Sequence, residues 1–227
     1  MFYPWKSKKL SWMTGLLALL LINIGSVNAA SLTATSLTAT KPPVILVMGD
    51  SLSAAYNIPT QTGWVALLEQ RLLKQHLKNE QSWQLVNASI SGETTSGGLT
   101  RLPALLRQHQ PSIVLLELGA NDGLRGLPPS LINNNLEKML ALSQQSGAKV
   151  MLLGILLPPN YGPAYLAKFE NIYPKLAQQH QLPLVPFLLE GVADKPELMQ
   201  EDRLHPTAQA QPLILETVWL ELEALLN

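Results

Sequence analysis

From Pro43 onward, short apolar runs alternate with longer amphipathic stretches. Five runs are apolar on both faces, as in buried parallel strands, and they predict strands at residues 44–48, 85–88, 113–118, 150–155 and 184–187. Helical periodicity predicts helices at about 63–78, 97–109, 129–146, 164–180 and 206–226, the last with Leu213, Leu220 and Leu225 near one face. The alternation predicts a three-layer α/β/α domain with a five-stranded, mainly parallel sheet.

The first residues follow a different pattern. Lysines at positions 6, 8 and 9 precede a short apolar block at 13–22, and small residues follow at Val27 and Ala29. This order predicts a signal peptide over residues 1–29, cleaved near Ala29/Ala30, and export to the periplasm or beyond. The apolar block is shorter than the ~20 residues of a spanning helix, which opposes the alternative of an uncleaved anchor. We therefore expect no integral membrane span after cleavage.

Residues 30–42 contain the pentapeptide SLTAT twice and predict a flexible polar linker. The remaining stretch, residues 43–227, is long enough to bury the core of one domain. The sequence therefore predicts three segments: a signal peptide, a linker and a single folded domain.

Charge and composition exclude several classes of function. The sixteen basic and sixteen acidic residues balance, so we expect no nucleic-acid partner. The chain has no cysteine, which excludes disulfides, thiol catalysis and thiolate metal sites. The four histidines, His76, His109, His180 and His205, form no short-spaced ligand pair, and we expect neither a metal nor a cofactor.

Polar residues follow the predicted strands where each one ends. Gly49-Asp50-Ser51 follows the first strand, a segment with Gly92 follows the second, Gly119-Ala120-Asn121-Asp122 follows the third, and Asp202 and His205 come after the fifth. In open α/β sheets ligands bind beyond the carboxyl ends of the strands, so these residues are expected to share one site. Each residue alone is equally typical of a helix cap, a turn or a loop. Their combination at four strand ends favours a functional site.

These residues supply the parts of a serine hydrolase. Ser51 is the candidate nucleophile, His205 the base that takes its proton, and Asp202 the acid that orients the imidazole. The backbone N–H groups of Ser51 and Gly92 and the side-chain amide of Asn121 are candidate oxyanion donors. We also expect Ser51 to open a helix whose dipole favours the developing charge.

Four short blocks resemble those of the GDSL, or SGNH, hydrolases, a family with a flavodoxin-like sheet: GDSLS at 49–53, Gly92, GAND at 119–122 and DRLHP at 202–206. Longer runs are similar to its bacterial thioesterase, lysophospholipase and arylesterase members. The resemblance implies a serine esterase that cleaves fatty-acyl, lysophospholipid and aryl esters, and acyl thioesters, through an acyl-enzyme at Ser51. It assigns the same roles to Ser51, Gly92, Asn121, Asp202 and His205. Ala55 and Arg203 depart from the family, because glycine is common at both positions.

The loops after the third and fourth strands predict a substrate groove. Their candidate binding residues are Leu124, Arg125, Leu127, Leu157 and Tyr161, an apolar set suited to an acyl chain with one cation for a head group. We expect a monomer acting on a small-molecule or lipid ester. A carbohydrate O-acetylesterase and a non-catalytic anion-binding module stay open as alternatives. An α/β-hydrolase is opposed by Ser53, which occupies the second glycine position of that fold's Gly-x-Ser-x-Gly turn.

Overall fold

The computed structural model describes residues 41–79 and 82–226. The predicted signal peptide, and the predicted linker up to residue 40, lie outside the described residues. Within the described ranges, every helix is too short or too polar to cross a membrane.

Five parallel strands form one sheet with the order β2-β1-β3-β4-β5. The strands are β1 (Val44–Gly49), β2 (Gln84–Asn87), β3 (Ile113–Glu117), β4 (Lys149–Leu153) and β5 (Leu184–Val185). Every residue of β1 and β3 is buried, because helices cover both faces of the central strands. The register places Gly49, the last residue of β1, opposite Glu117, the last residue of β3.

Helices connect the strands and cover the sheet, and the expected three-layer fold is confirmed. The helices of the described residues are α1 (Trp64–Asn79), α2 (Thr95–His109), α3 (Ala120–Leu124), α4 (Pro129–Gln145), α5 (Pro163–Glu170), α6 (Ile172–His180) and α7 (Gln211–Leu222). One group contains α1 and α7, which pack against each other, and the other contains α2, α4 and α6, with α4 in contact with both. Within the described part of the chain, single 3₁₀ turns lie at 60–62, 159–161, 196–198, 208–210 and 223–225.

Two predicted helices differ from the observed ones. The helix expected over 164–180 is divided into α5 and α6 at Asn171, because Pro174 has no N–H to donate to the carbonyl of Glu170. The last helix begins at Gln211 instead of 206, because Pro206 forms an antiparallel bridge with Met199.

The residues predicted near one face of the last helix, Leu213, Leu220 and Leu225, do not form its buried face. Leu213 and Leu220 are 45% and 78% exposed, and Leu225 is half-buried. The core-facing residues of α7 are instead Ile214, Leu215, Val218, Trp219 and Leu222.

Candidate active site

The nucleophile candidate lies directly beyond the most buried part of the sheet. Ser51 follows β1 and begins a series of tight turns, in which Ala54 N–H donates to the carbonyl of Asp50 at 2.9 Å and Tyr56 N–H to that of Ser51 at 3.2 Å. The expected helix at Ser51 is therefore absent from this described segment, and α1 starts only at Trp64.

Gly49 precedes this turn for a steric reason. A Cβ atom there would lie 2.6 Å from Oε2 of Glu117 and 2.8 Å from Cβ and Oγ of Ser53. Only glycine lets β1 end against these two side chains.

His205 links Ser51 and Asp202 through its two ring nitrogens. Nε2 lies 2.8 Å from Oγ of Ser51, and Nδ1 lies 2.7 Å from Oδ2 of Asp202. A carboxylate only accepts hydrogen bonds, so Nδ1 carries the proton and Nε2 accepts from the Ser51 hydroxyl. The structure thus brings the three predicted residues into one hydrogen-bonded chain.

The three-residue spacing between Asp202 and His205 has a local cause. The backbone N–H groups of Leu204 and His205 both donate to Oδ1 of Asp202, at 3.0 Å each. Partial burial opposes ionisation of Asp202, but the His205 ring and these two N–H groups outweigh it and lower its pKa. Asp202 is therefore an ionised acceptor aimed at Nδ1.

The loop that carries His205 is held by Gln200. Its backbone N–H donates to the carbonyl of His205 at 2.8 Å, and its side-chain amide donates to the carbonyls of Pro206 and Tyr56, at 3.0 Å each. The Tyr56 ring lies against the imidazole, with 4.4 Å between ring centroids. Sequence reasoning missed both Gln200 and Tyr56, because 144 residues separate the two ends of this contact.

Three donors are available for an anionic oxygen. Gly92 lies on an exposed turn after β2 with φ +80°, and no hydrogen bond within the described ranges uses the N–H of Gly92 or Ser51. Asn121 lies in α3 and donates one amide N–H to Oδ2 of Asp50 at 2.9 Å. Because an amide nitrogen carries two hydrogens and its partner is an acceptor-only carboxylate, Asn121 keeps a second N–H free.

A buried carboxyl pair lies behind Ser51, and sequence reasoning missed Glu117. Oε2 of Glu117 accepts from the backbone N–H of Asp50 at 3.1 Å and from the Ser53 hydroxyl at 2.8 Å. Oδ1 of Asp50 accepts from the N–H of Leu52 at 3.0 Å. Both carboxyl side chains are fully buried. An acid at the end of the otherwise apolar run IVLLE was the available signal.

Burial sets the protonation of this pair. Desolvation raises the pKa of Asp50 from its ordinary 3.8 to about 6, against the hydrogen bond from Leu52 and the attraction of His205. Desolvation, followed by repulsion from Asp50, raises the pKa of Glu117 well above its usual range. Of the two carboxyl groups, Glu117 therefore favours the protonated form more strongly, and Asp50, with a pKa of about 6, carries the negative charge behind Ser51 at pH 7.

The turn that carries Gly92 is fixed from two sides. Arg101 forms an ion pair with Glu93 at 2.7 Å and also donates to the carbonyl of Ala88 at 3.0 Å. Arg125, a predicted substrate residue, donates to the carbonyl of Gly92 at 3.3 Å. These contacts hold the backbone on both sides of the Gly92 N–H.

A mainly apolar cleft of about 80 Å³ opens at Ser51 and His205. Its lining is Asp50, Ser51, Leu52, Ala120, Asn121, Leu124, Ile155, Leu156, Leu157, Pro158, Leu189, Leu204 and His205. The set includes the predicted Leu124 and Leu157, together with residues that sequence reasoning missed, among them Leu156 and Leu204.

Three predicted substrate residues are not in this lining: Arg125, Leu127 and Tyr161. The Tyr161 hydroxyl donates to the carbonyl of Leu124 at 2.7 Å, and the carbonyl of Leu127 accepts from Tyr165 at 2.7 Å. Leu127 and Tyr161 therefore lie outside the cleft lining, which includes Leu156 and Leu204.

Other features of the described residues offer less chemistry. A depression of about 300 Å³ beside α4, α5 and α6 is lined by Pro129, Ser130, Asn133, Asn134, Lys168, Asn171, Ile172 and Lys175, without a paired base for its serine. No group of three or more His, Asp or Glu side chains in the described ranges is placed to hold a metal ion.

Comparison with known proteins finds a matching family and several similar proteins. Residues 47–212 match the sequence profile of the GDSL-like Lipase/Acylhydrolase family. Esterase TesA of Pseudomonas aeruginosa is 50% identical over 182 residues, 80% of this chain and 89% of the relative. The arylesterase of Vibrio mimicus is 53% identical over 78% of this chain and 87% of the relative. Thioesterase 1/protease 1/lysophospholipase L1 of Escherichia coli is 45% identical over 81% of this chain and 85% of the relative.

A solved structure agrees with these matches. The psychrotrophic esterase EstA from Pseudoalteromonas sp., crystallised with monoethylphosphonate as inhibitor, superposes with a TM-score of 0.74 at 42% identity. The match covers 81% of this chain and 98% of EstA.

Proposed function

The chain belongs to the GDSL-like lipase/acylhydrolase family and is an ester hydrolase, and from this premise we propose that it acts through an acyl-enzyme at Ser51. The observation that carries the proposal is the chain from Ser51 Oγ to His205 to Asp202, with separations of 2.8 Å and 2.7 Å, at the mouth of an apolar cleft.

Acylation begins with Ser51. Its Oγ attacks the ester carbonyl carbon while the hydroxyl proton passes to Nε2 of His205, and Asp202 stabilises the imidazolium that results. The carbonyl oxygen becomes an anion. It accepts hydrogen bonds from the N–H groups of Ser51 and Gly92 and from the free amide N–H of Asn121.

The proton held by His205 is passed on as acylation ends, and deacylation follows. When the tetrahedral intermediate collapses, His205 donates its proton to the leaving alcohol or thiol, and an ester of Ser51 remains. His205 then takes a proton from water while the water oxygen attacks the acyl carbon, and when this second intermediate collapses, His205 returns the proton to Oγ of Ser51 and the carboxylic acid leaves. The balance needs only water, so we propose no cofactor and no metal.

The cleft supports a substrate with an apolar acyl chain. Its volume of about 80 Å³ equals roughly the share of two to three water molecules, so it encloses only the first few carbons. Further carbons would lie along Leu156 and Leu204, which are 42% and 37% exposed beside the site. We propose fatty-acyl, lysophospholipid and aryl esters as substrates, with acyl thioesters, in keeping with the names of the relatives. We also propose that Arg125, which donates to the carbonyl of Gly92 at 3.3 Å, meets an anionic head group.

The proposed organisation follows the sequence pattern: signal peptide over 1–29, linker over 30–42 and hydrolase domain over 43–227. We propose that the enzyme is exported, acts in the periplasm or beyond as a monomer and binds no nucleic acid. N-terminal sequencing of the exported protein should begin near Ala30, whereas an intact Met1 in a membrane fraction would contradict cleavage.

A fluorescent phosphonate tests the mechanism. The wild-type enzyme should be labelled covalently, and Ser51→Ala and His205→Ala should lose labelling and at least about 1,000-fold in esterase kcat/KM, since the nucleophile and base act as a unit. Ser130→Ala, an exposed serine on α4, is the matched control and should label normally. Labelling of a well-folded Ser51→Ala protein would refute the assignment.

Hydrolysis of p-nitrophenyl esters tests the substrate class. From acetyl to octanoyl, kcat/KM should rise, with each buried methylene contributing up to ~0.8 kcal/mol. Leu156→Ser should flatten the rise without loss on acetyl ester, whereas Leu220→Ser, on exposed α7 surface, should leave it unchanged. If acetyl ester is the fastest substrate of the wild type, carbohydrate O-acetyl esters replace lipid esters as the proposed class.

A further inference from the structure

The turn after Ser51 has an unusual backbone around Tyr56. Ala55 and Asn57, the two neighbours of Tyr56, have φ of 57° and 60°. This left-handed region is disfavoured for alanine, because Cβ crowds the following carbonyl oxygen. Such a conformation persists only where surrounding contacts impose it, and it is often found at functional sites.

The contacts that impose it lead to His205. The Tyr56 ring lies 4.4 Å from the imidazole, centroid to centroid, with 40° between the planes. The Gln200 amide bonds the carbonyls of Tyr56 and Pro206, at 3.0 Å each, and so ties this turn to the His205 loop. Tyr56 is 44% exposed, so this ring contact lies at the surface of the protein.

We propose that Tyr56 is a positioning residue that holds the His205 ring in line and stabilises its protonated form. The inference rests on the proposed role of His205 as base. The face of an aromatic ring is electronegative, and a cation within about 6 Å of its centroid is attracted. At the pH of catalysis the resting His205 must be neutral to act as base, and the imidazolium forms as Ser51 gives up its proton, so there the attraction acts on the transition state more than on the resting enzyme.

Other charges also act on His205 and must stay constant in a test. Asp202 bonds Nδ1 at 2.7 Å, and the buried charge of Asp50 attracts the imidazole. Glu201 and Arg203 flank the site on the same exposed loop. A substitution at Tyr56 leaves these four residues in place, so a change in pH dependence isolates the ring.

Two substitutions separate the ring from the bulk of the side chain. Tyr56→Leu keeps an apolar side chain but removes the aromatic face, and should lower kcat by about 5- to 30-fold with KM changed less than about twofold. It should also move the acidic limb of the kcat/KM profile to lower pH by about half a unit to one unit, because the cation loses a stabilising partner. Tyr56→Phe keeps the ring and should rescue both.

Controls keep the inference separate from the proposed function. If His205→Ala retains esterase activity, the proposed function fails before Tyr56 is considered. If His205→Ala is inactive but Tyr56→Leu matches the wild type in kcat and in the acidic limb, the inference alone is overturned. Equal losses in the leucine and phenylalanine variants would also overturn it. Tyr56→Trp is a second test, because it also keeps an aromatic face beside the imidazole. The acidic limb of this variant should lie at the wild-type pH or higher, and a shift to lower pH would contradict the proposal.

Discussion

Ser51 follows a fully buried central strand, whereas its partner His205 lies on a partly exposed loop near the end of the chain. On the Ser51 side, the backbone is fixed by the sheet, by Gly49 packed against Glu117, and by hydrogen bonds to buried carboxyl groups. On the His205 side, position depends on the Asp202 and Gln200 hydrogen bonds and on the Tyr56 ring.

Because of this difference, we expect substitutions on the Ser51 side to change the stability of the protein and substitutions on the His205 side to change the alignment of the catalytic groups. Groups behind Ser51 are buried, so changes there alter the free energy of unfolding as well as activity. Groups around His205 are exposed enough for water to replace a lost bond, so changes there should alter activity at little cost in stability.

Asp202→Asn should have the largest effect. The side-chain oxygen of the new Asn can accept the same hydrogen bonds from the N–H groups of Leu204 and His205. The NH₂ group of the Asn then faces Nδ1 of His205. Nδ1 must then be the acceptor and Nε2 the protonated nitrogen, which cannot take the proton of Ser51. We expect kcat to fall by about 10³- to 10⁴-fold, with the urea midpoint unchanged. A loss of kcat below tenfold, or a lower urea midpoint, would contradict the proposed difference between the Ser51 side and the His205 side.

Asp50→Asn should stabilise the protein while it lowers activity. The pKa of Asp50 rises from 3.8 to about 6 on folding, so the native state binds more protons between these values and stability falls as pH rises through this window. Above this pH window, burial of the ionised Asp50 carboxylate lowers the free energy of unfolding by about 3 kcal/mol, since each pKa unit corresponds to ~1.36 kcal/mol. Urea unfolding should show Asp50→Asn more stable than wild type at pH 8, with the gap closing near pH 4.

Activity of the same variant should fall for a geometric reason. The new NH₂ at position 50 would face Asn121, whose amide must turn its oxygen toward it and its N–H groups elsewhere. A variant that is less stable than wild type at pH 8 would contradict the assigned cost of burying Asp50.

Asn121→Ala should affect the transition state more than the substrate. The amide donates to charge that develops during attack, so kcat should fall by roughly a hundredfold or more while KM changes little. Steady-state kinetics on a p-nitrophenyl ester measure both. A rise in KM at constant kcat would show that Asn121 binds substrate instead.

The fold was predictable because its strands are apolar on both faces and its site residues follow strand ends. The face of α7 was not, since apolar side chains occur all around QPLILETVWLEL and periodicity selects no side. It was predictable that Ser51, Asp202 and His205 lie close together, because a serine nucleophile needs a base and an orienting acid. The contact between Asp50 and Glu117 was not predictable, because it depends on the β1–β3 register that sets Gly49 opposite Glu117.

Arg203→Gly should have the smallest effect and sharpen the contrast on the His205 side. Arg203 has φ 54°, as Ala55 has 57°, which gives a backbone reason for the glycine common at these positions in the family. Glycine removes a strain of about 1–2 kcal/mol but adds about 0.5–1 kcal/mol of unfolded-chain entropy. We expect a net gain near 0.5 kcal/mol, or about 1–2 °C in Tm, with unchanged kcat.

Lys138→Gly, exposed within α4, is the matched control and should lose about 1 kcal/mol. If Arg203→Gly destabilises as much as this control, the left-handed conformation carries no strain, and the His205 loop is held by contacts of the Arg203 side chain.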